Sequence, residues 1–308
     1  MSEFEFNRAE TAFSSHGTRC AATVFRPVSE AGNAPAARPV IVMAHGFGAP
    51  RAHRLYAYGG EFARAGYLVV VFDYRYWGDS DGLPRQVLTI ADQLDDWRAA
   101  IEFARTLPGA DSDRIVAWGT SFSGGHVITL AAGGENLAAI IAQVPHVSGP
   151  AAVRARGVLS GLRLMPAAIE DTIRASLGRT PRYIDSIGNP GDLAVLTSPD
   201  AMLGRTRLEQ RSGLDGTEYP HTVAARIVAR IGLYSPGRKA AAVNCPALIQ
   251  IARADAITPA GPVRRAAAKM GDATVREYDL GHFDLYVEPA FPVIVADQLT
   301  FLNSTVPV

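Results

Sequence analysis

Short runs rich in Val, Ile and Ala recur along the chain, separated by longer stretches in which apolar residues return every three or four positions. Continuous apolar runs suit parallel strands buried on both faces, and the longer stretches suit helices lying over such a sheet. The pattern predicts strands over residues 40–44, 67–73, 114–118, 138–144, 247–252 and 274–278. Helices are expected over 55–65, 90–106, 124–132, 259–269 and 291–302. This alternation describes a doubly wound, mostly parallel α/β domain. The amino-terminal part differs: residues 4–13 and 18–25 alternate apolar with polar around Ser14-Ser15-His16-Gly17, which predicts an antiparallel hairpin at the sheet edge. Residues 26–39, with their Pro, Ala, Gly and Asn, read as a loop.

The alternation breaks off over residues 146–240, where Pro, Gly and Arg are frequent, helices are expected over 151–164, 167–177 and 221–233, and no strand is evident. Structureless connections beyond about 12–15 residues are uncommon in compact domains. The segment therefore reads as a helical cap inserted between core strands, with residues 1–145 and 241–308 forming the core. No internal repeat, low-complexity tract or block of like charge stands out.

Composition narrows the function classes. With 48% apolar and 19% charged residues, disorder, collagen and coiled coil are excluded. Thirty basic residues balance thirty acidic ones, so no global field draws nucleic acid or an anionic membrane. The longest apolar runs, at 67–72 and 40–44, fall far short of the roughly 18 residues of a membrane span. The acidic start Met1-Ser2-Glu3-Phe4-Glu5-Phe6 lacks a basic region followed by an apolar one, and a cytoplasmic location is expected. Cys20 and Cys245 both stand in apolar strand-like stretches, which points to reduced, buried thiols, with a disulfide between them left open. No His, Cys, Asp and Glu spacing suggests a metal site, and no phosphate loop calls for a nucleotide.

The candidate chemistry lies at strand ends. Gly119-Thr120-Ser121-Phe122-Ser123-Gly124-Gly125 follows an expected strand and opens an expected helix, the setting of a nucleophile elbow, in which neighbours two residues either side must be small. Ser123 also fits a small-x-Ser-x-small pattern, but it falls inside the first helical turn, whereas Ser121 lies just past the strand. A Gly/Ser helix cap is the plainer reading of the same residues. His45-Gly46-Phe47-Gly48 follows another strand and can aim the Phe47 N–H over the serine; the Phe122 N–H would be the second oxyanion donor. A dinucleotide loop fails there, because Arg51 stands where a third glycine is needed. Asp255 and His282 follow the next two strands, so the chain order is Ser, Asp, His, the order for a catalytic triad on one sheet edge. Taken singly, Asp255 also suits a helix cap, and His282 a loop histidine. Asp284 is a rival carboxylate, better placed to bond backbone or an Arg. His45, His126 and His146 are weaker candidate bases, with packing or polar support expected of His126; His16, His53 and His221 read as surface or structural.

These motifs, with Asp73-x-Arg75-x-x-Gly78-x-Ser80-x-Gly82, make the chain similar to the α/β-hydrolase superfamily over all but the inserted segment. It resembles in particular the bacterial branch related to dienelactone hydrolases, S15-type and prolyl peptidases, and polyketide-processing thiohydrolases. The resemblance implies Ser121 as nucleophile, His282 as base and acid, Asp255 as its orienter, and Phe47 and Phe122 as oxyanion donors. Ser123 departs from the second glycine of the family's elbow. A serine nucleophile disfavours dehalogenase and epoxide hydrolase chemistry, which uses an aspartate in this fold. The expected activity is that of a cofactor-independent serine hydrolase on a small-molecule ester or thioester. The alternatives are an acyltransferase or thiohydrolase of biosynthesis, and a ligand-binding member with little turnover. Tyr76, Trp77, Leu162 and Met165 are the expected substrate-binding residues, with Leu164, Tyr183, Tyr219 and Tyr234 as further wall candidates. Arg154, Arg163, Arg179 and Arg182 could hold a substrate anion. Oligomeric state is left open, a homodimer included.

Overall fold

In a computed structural model that describes residues 4–28, 37–216 and 218–308, a two-residue turn at His16 and Gly17, both at positive φ (47° and 78°), folds β1 (Phe6–Ser15) back onto β2 (Thr18–Pro27). Such a turn matches the twist of the paired strands. The chain continues through β3 (Arg38–Ala44), α1 (Leu55–Arg64), β4 (Leu68–Phe72), α2 (Ile90–Arg105), β5 (Ala110–Thr120), α3 (Phe122–Ala132) and β6 (Ala139–Gln143). Of the expected loop over 26–39, residues 29–36 lie outside the described residues, as do residues 1–3 of the acidic start; the loop's ends are strand, since β2 reaches Pro27 and β3 begins at Arg38.

Residues 146–240 carry more than the helices expected of them. They form α4 (Gly149–Arg156), α5 (Val158–Ser176), β7 (Tyr183–Ile187), β8 (Ala194–Leu196), α6 (Ala201–Ser212), β9 (Thr222–Ala224) and the short α7 (Val228–Ile231). The break between the helices expected over 151–164 and 167–177 falls instead at Gly157, whose φ of 96° leaves the helical region, and α5 runs on through Pro166. The helix expected over 221–233 is replaced by β9, a 3-10 turn and α7. A second, three-stranded sheet in the order β8-β7-β9 results, with β9 antiparallel to β7. The chain then returns to the main sheet with β10 (Ala247–Ala252), α8 (Ala260–Ala267), β11 (Ala273–Tyr278) and α9 (Phe291–Thr305).

The main sheet has the order β1-β2-β4-β3-β5-β6-β10-β11, with β2 antiparallel to β4 and every pair from β4 to β11 parallel. Alternate residues feed two cores. Val40, Val42, Ile115, Ala117 and Ile140 meet α2, α3 and α8 on one face; Ile41, Met43, Val116, Trp118 and Ile141 meet α1 and α9 on the other. This period-two division, with both sides buried, is why the strands read as unbroken apolar runs. Three buried glutamines interrupt the apolar pattern: Gln298 of α9 donates to Gln143 (3.0 Å) and Gln250 (2.6 Å) and accepts from Trp118 Nε1 (3.2 Å), so the amides satisfy one another.

The chain leaves β3 and β5, which are neighbours, toward opposite faces of the sheet, so the sheet has its switch point between them, where ligands of open α/β sheets bind. Registry levels the relevant strand ends, with Ala44 opposite Gly119, Thr120 opposite Gln143, Gln143 opposite Gln250 and Ala252 opposite Tyr278. Both cysteines are buried free thiols, their ionisation pushed up by burial to about 12 for Cys20 and about 11 for Cys245. Among the described residues no helix is long and apolar enough to cross a membrane, and no cluster could hold a metal ion.

Candidate active site

Ser121 sits between β5 and α3 with φ 55° and ψ −117°, a region non-glycine residues rarely enter. Its surroundings hold it there: its N–H donates to Gln143 O and its carbonyl accepts from His146 N, both at 2.8 Å. The tight turn also brings the Gly119 Cα against the backbone of Ser123, where a Cβ would collide with the Ser123 carbonyl. Ser121 keeps 8% exposure, whereas Ser123 has none, its hydroxyl meeting Tyr74 OH at 2.9 Å and accepting from Trp97 Nε1 at 3.2 Å. The two serines of the motif thus have different surroundings, one facing a cavity and one locked beneath the elbow.

Asp255 and His282 arrive from the loops after β10 and β11. His282 Nε2 lies 3.1 Å from Ser121 Oγ, and its Nδ1 lies 2.6 Å from Asp255 Oδ2. Asp255 is aimed by Ile257 N–H (2.8 Å) and Thr258 N–H (2.7 Å) on Oδ1 and by the Thr258 hydroxyl (2.7 Å) on Oδ2. With its Oδ2 at hydrogen-bond distance from Nδ1, the carboxylate is placed to hold the imidazole proton on that nitrogen and leave Nε2 as the acceptor facing the serine. Asp284 is occupied elsewhere, accepting from Gly281 N–H (2.8 Å) and Arg207 (3.0 Å).

The turn after β3 closes the site from the other side. A Cβ on Gly46 would stand 2.9 Å from Ser121 Cβ, so only glycine lets the two loops approach this closely. The Phe47 and Phe122 rings meet edge to face at 5.9 Å. Among the described residues, neither the Phe47 nor the Phe122 N–H donates to a protein acceptor. The turn is braced from below by Asp73, which accepts from Arg51 N–H (2.7 Å) and Asp79 N–H (3.1 Å) and pairs with the Arg51 guanidinium. His45 packs edge-on against Tyr74, and burial lowers its pKa. His126 bonds Tyr234 (2.8 Å) and Gln93 (2.9 Å), and His146 stacks on Tyr234; burial brings their pKa values down to about 3 and about 4, so both stay neutral. These histidines support the loops, and among them only His146 faces the cavity beside Ser121.

That cavity, of about 270 Å³, is lined mostly by apolar side chains. Phe47, Ser121 and Phe122 form its floor, α4 and Val195–Pro199 its walls, and residues 256–258 its far side. The expected substrate contacts differ. Trp77 is buried in the core with its indole N–H on Val87 O (2.8 Å), Leu162 faces solvent, and neither these two nor Tyr76 and Met165 line the cavity. Leu162 and Met165 belong to α5, whereas the wall comes from α4, on the other side of the break at Gly157. Of the arginines, Arg156 lines the cavity, while Arg154, Arg163, Arg179 and Arg182 do not. Arg156 donates from Nε to Val195 O (2.8 Å) and from Nη2 to Ala194 O (2.5 Å), tying α4 to β8. Sequence reasoning missed it because the small sheet it holds was not legible.

A family model described as X-Pro dipeptidyl-peptidase (S15 family) matches residues 16–182. The chain is 40% identical to the quorum-quenching protein AidA of Acinetobacter baumannii (strain MDR-ZJ06) over 97% of this chain and 95% of that one. It is 32% identical to the thiohydrolase apmlB of Arthrinium phaeospermum over 53% of this chain and 52% of that one. Among solved structures, the α/β hydrolase GrgF from Penicillium sp. sh18 superposes with a TM-score of 0.77 at 19% identity, covering 98% of this chain and all of that one.

Proposed function

The chain belongs to the α/β-hydrolase superfamily, within the family described as X-Pro dipeptidyl-peptidase (S15 family), and from that premise we propose a cofactor-independent serine hydrolase that cleaves a small to medium carboxylic ester or thioester through an acyl-enzyme. Its relatives establish the coarser statement, that it is a hydrolase-fold enzyme of ester or thioester chemistry. The observation that carries the finer one is the unbroken chain of contacts from Asp255 through His282 to Ser121 at the mouth of an apolar cavity.

In this reading the Ser121 hydroxyl attacks the substrate carbonyl carbon as its proton passes to His282 Nε2. Asp255 holds the imidazole and stabilises its cation without itself taking the proton. The carbonyl oxygen gathers negative charge between the Phe47 and Phe122 N–H groups, and each such donor is worth about 3–4 kcal/mol in the transition state. The tetrahedral species collapses, His282 protonates the departing oxygen or sulfur, and the acyl group stays on Ser121. Water then enters, loses its proton to the same nitrogen, and releases the carboxylic acid. The apolar lining suits an alkyl or aryl acyl group. Among the described residues it offers no carboxylate to a peptide's terminal amine, and their charged member in the lining is the cation Arg156, which favours an ester or thioester over a dipeptidyl substrate.

The test is pre-steady-state hydrolysis of p-nitrophenyl butanoate. The expected result is a burst of nitrophenol equal to the enzyme concentration, followed by a slower steady rate, abolished in Ser121→Ala. A stoichiometric burst that survives this substitution would contradict the proposal. A rise in nitrophenol release when an alcohol is added would identify acyl transfer as a competing outcome of the same intermediate.

A further inference from the structure

We infer that a second, smaller cavity on the far side of Phe47 receives the leaving group of the substrate, and that this group is polar and uncharged. The inference rests on the reading of Ser121 as nucleophile. The cavity, of about 60 Å³, lies between the turn after β3 and the inserted segment, with Phe47, His53, Ser186, Arg205, Tyr219 and Phe283 in its wall. It shares Phe47 and Leu196 with the larger cavity, so the two adjoin at an oxyanion residue.

Chemistry assigns the two sides. The departing oxygen or sulfur must take its proton from His282 Nε2, so the leaving group lies on the imidazole's side of the carbonyl. Phe283, the residue after His282, belongs to the small cavity; the larger one is walled instead by α4 and residues 256–258, beside Asp255. The apolar acyl chain takes the larger space and the leaving group the smaller.

His53 gives the small cavity its character. It is 9% exposed and meets Tyr219 edge to face at 6.1 Å, yet among the described residues neither ring nitrogen bonds a protein group. Burial, reinforced by the Arg205 charge, lowers its pKa to about 3, so it presents one N–H and one lone pair. Neither nitrogen is sealed off from solvent, so in the small cavity a ligand hydroxyl or carbonyl would take the place of water on the ring. Net charge decides what kind of ligand. Arg205 already has its carboxylate, donating to Glu209 from Nε at 2.8 Å, and it also meets the His221 ring. An anionic leaving group would find no free counter-charge there, and a cationic one would face Arg205. A second hydroxyl or a carbonyl fits.

The experiment compares two butanoate esters of nearly equal size, 2-hydroxyethyl and n-propyl. The native enzyme is expected to favour the hydroxyethyl ester by about tenfold or more in kcat/KM, because a site built to hydrogen-bond a substrate group discriminates against the analogue lacking it. His53→Phe should bring the ratio close to one, mainly through KM, and His53→Gln, which keeps a donor and an acceptor, should retain part of it. A native ratio at or below one would overturn the inference, and this needs no variant to fold. So would an unchanged ratio in a His53→Phe protein with native melting temperature. Ser121→Ala separates the two layers: turnover of both esters surviving it counts against the nucleophile, whereas Ser121-dependent turnover without preference counts against the small cavity alone.

Discussion

At the scale of single residues, the two serines of the elbow make opposite predictions. Ser121→Ala should lower kcat by about a million-fold, and His282→Ala by a similar factor, because members of a triad act as one unit. Steady-state kinetics on an activated ester checks both. Ser123→Ala removes a hydroxyl that satisfies Tyr74 and Trp97, and should cost about 1–3 kcal/mol of stability while the chemistry persists, as read from urea melts beside activity. Thr258→Val deletes the hydroxyl on Asp255 Oδ2 but keeps the two N–H donors on Oδ1; a kcat loss of about tenfold, with KM little changed, is the expected result. Ser121, Asp255 and His282 were legible because each follows a strand run that ends in turn residues. His53 was not, because nothing along the chain tells that residues 186, 205 and 219 will close over it. Arg156 was hidden for the same reason, since its role depends on β8.

Among the elements, the loops at the strand ends owe their spacing to backbone fit. Gly46→Ala sets a methyl group 2.9 Å from Ser121 Cβ and must push the turn after β3 or the elbow aside. The expected outcome is a protein that melts near the native temperature but has lost at least about 10²-fold in kcat, the scale of one misplaced oxyanion donor; circular dichroism and ester kinetics decide it. The core strands and helices were readable because their apolar runs are buried on both faces and their helices are long. The inserted segment was harder. Its strands are three to five residues long, too short to show a period of two, and β9 forms because Ser186 N–H finds His221 O (2.7 Å) and Ala224 N–H finds Gln86 O (3.0 Å), contacts from distant parts of the chain. Helices were expected over 151–164 and 167–177, yet the backbone turns at Gly157, where a positive φ costs glycine little.

For the whole molecule, buried neutral histidines tie stability to pH. In the unfolded chain they titrate near the ordinary 6.5; in the fold, burial lowers His146 to about 4 and His126 and His53 to about 3. Between these values the unfolded state binds more protons than the native one, so stability present above about 6.5 is lost progressively as the pH falls toward 4. Melting temperatures should therefore drop from pH 7.5 to pH 4.5, and His146→Gln should flatten the slope; a slope unaltered by that substitution would exclude His146 as a contributor. The proposed activity turns on one activated serine at the switch point between β3 and β5. The most direct measurement is labelling of the folded protein with a fluorophosphonate, followed by intact mass and peptide mapping, with heat-denatured protein as the control. A single adduct on Ser121 that requires the folded state is the predicted result; an adduct on Ser123, or equal labelling of folded and denatured protein, would contradict it.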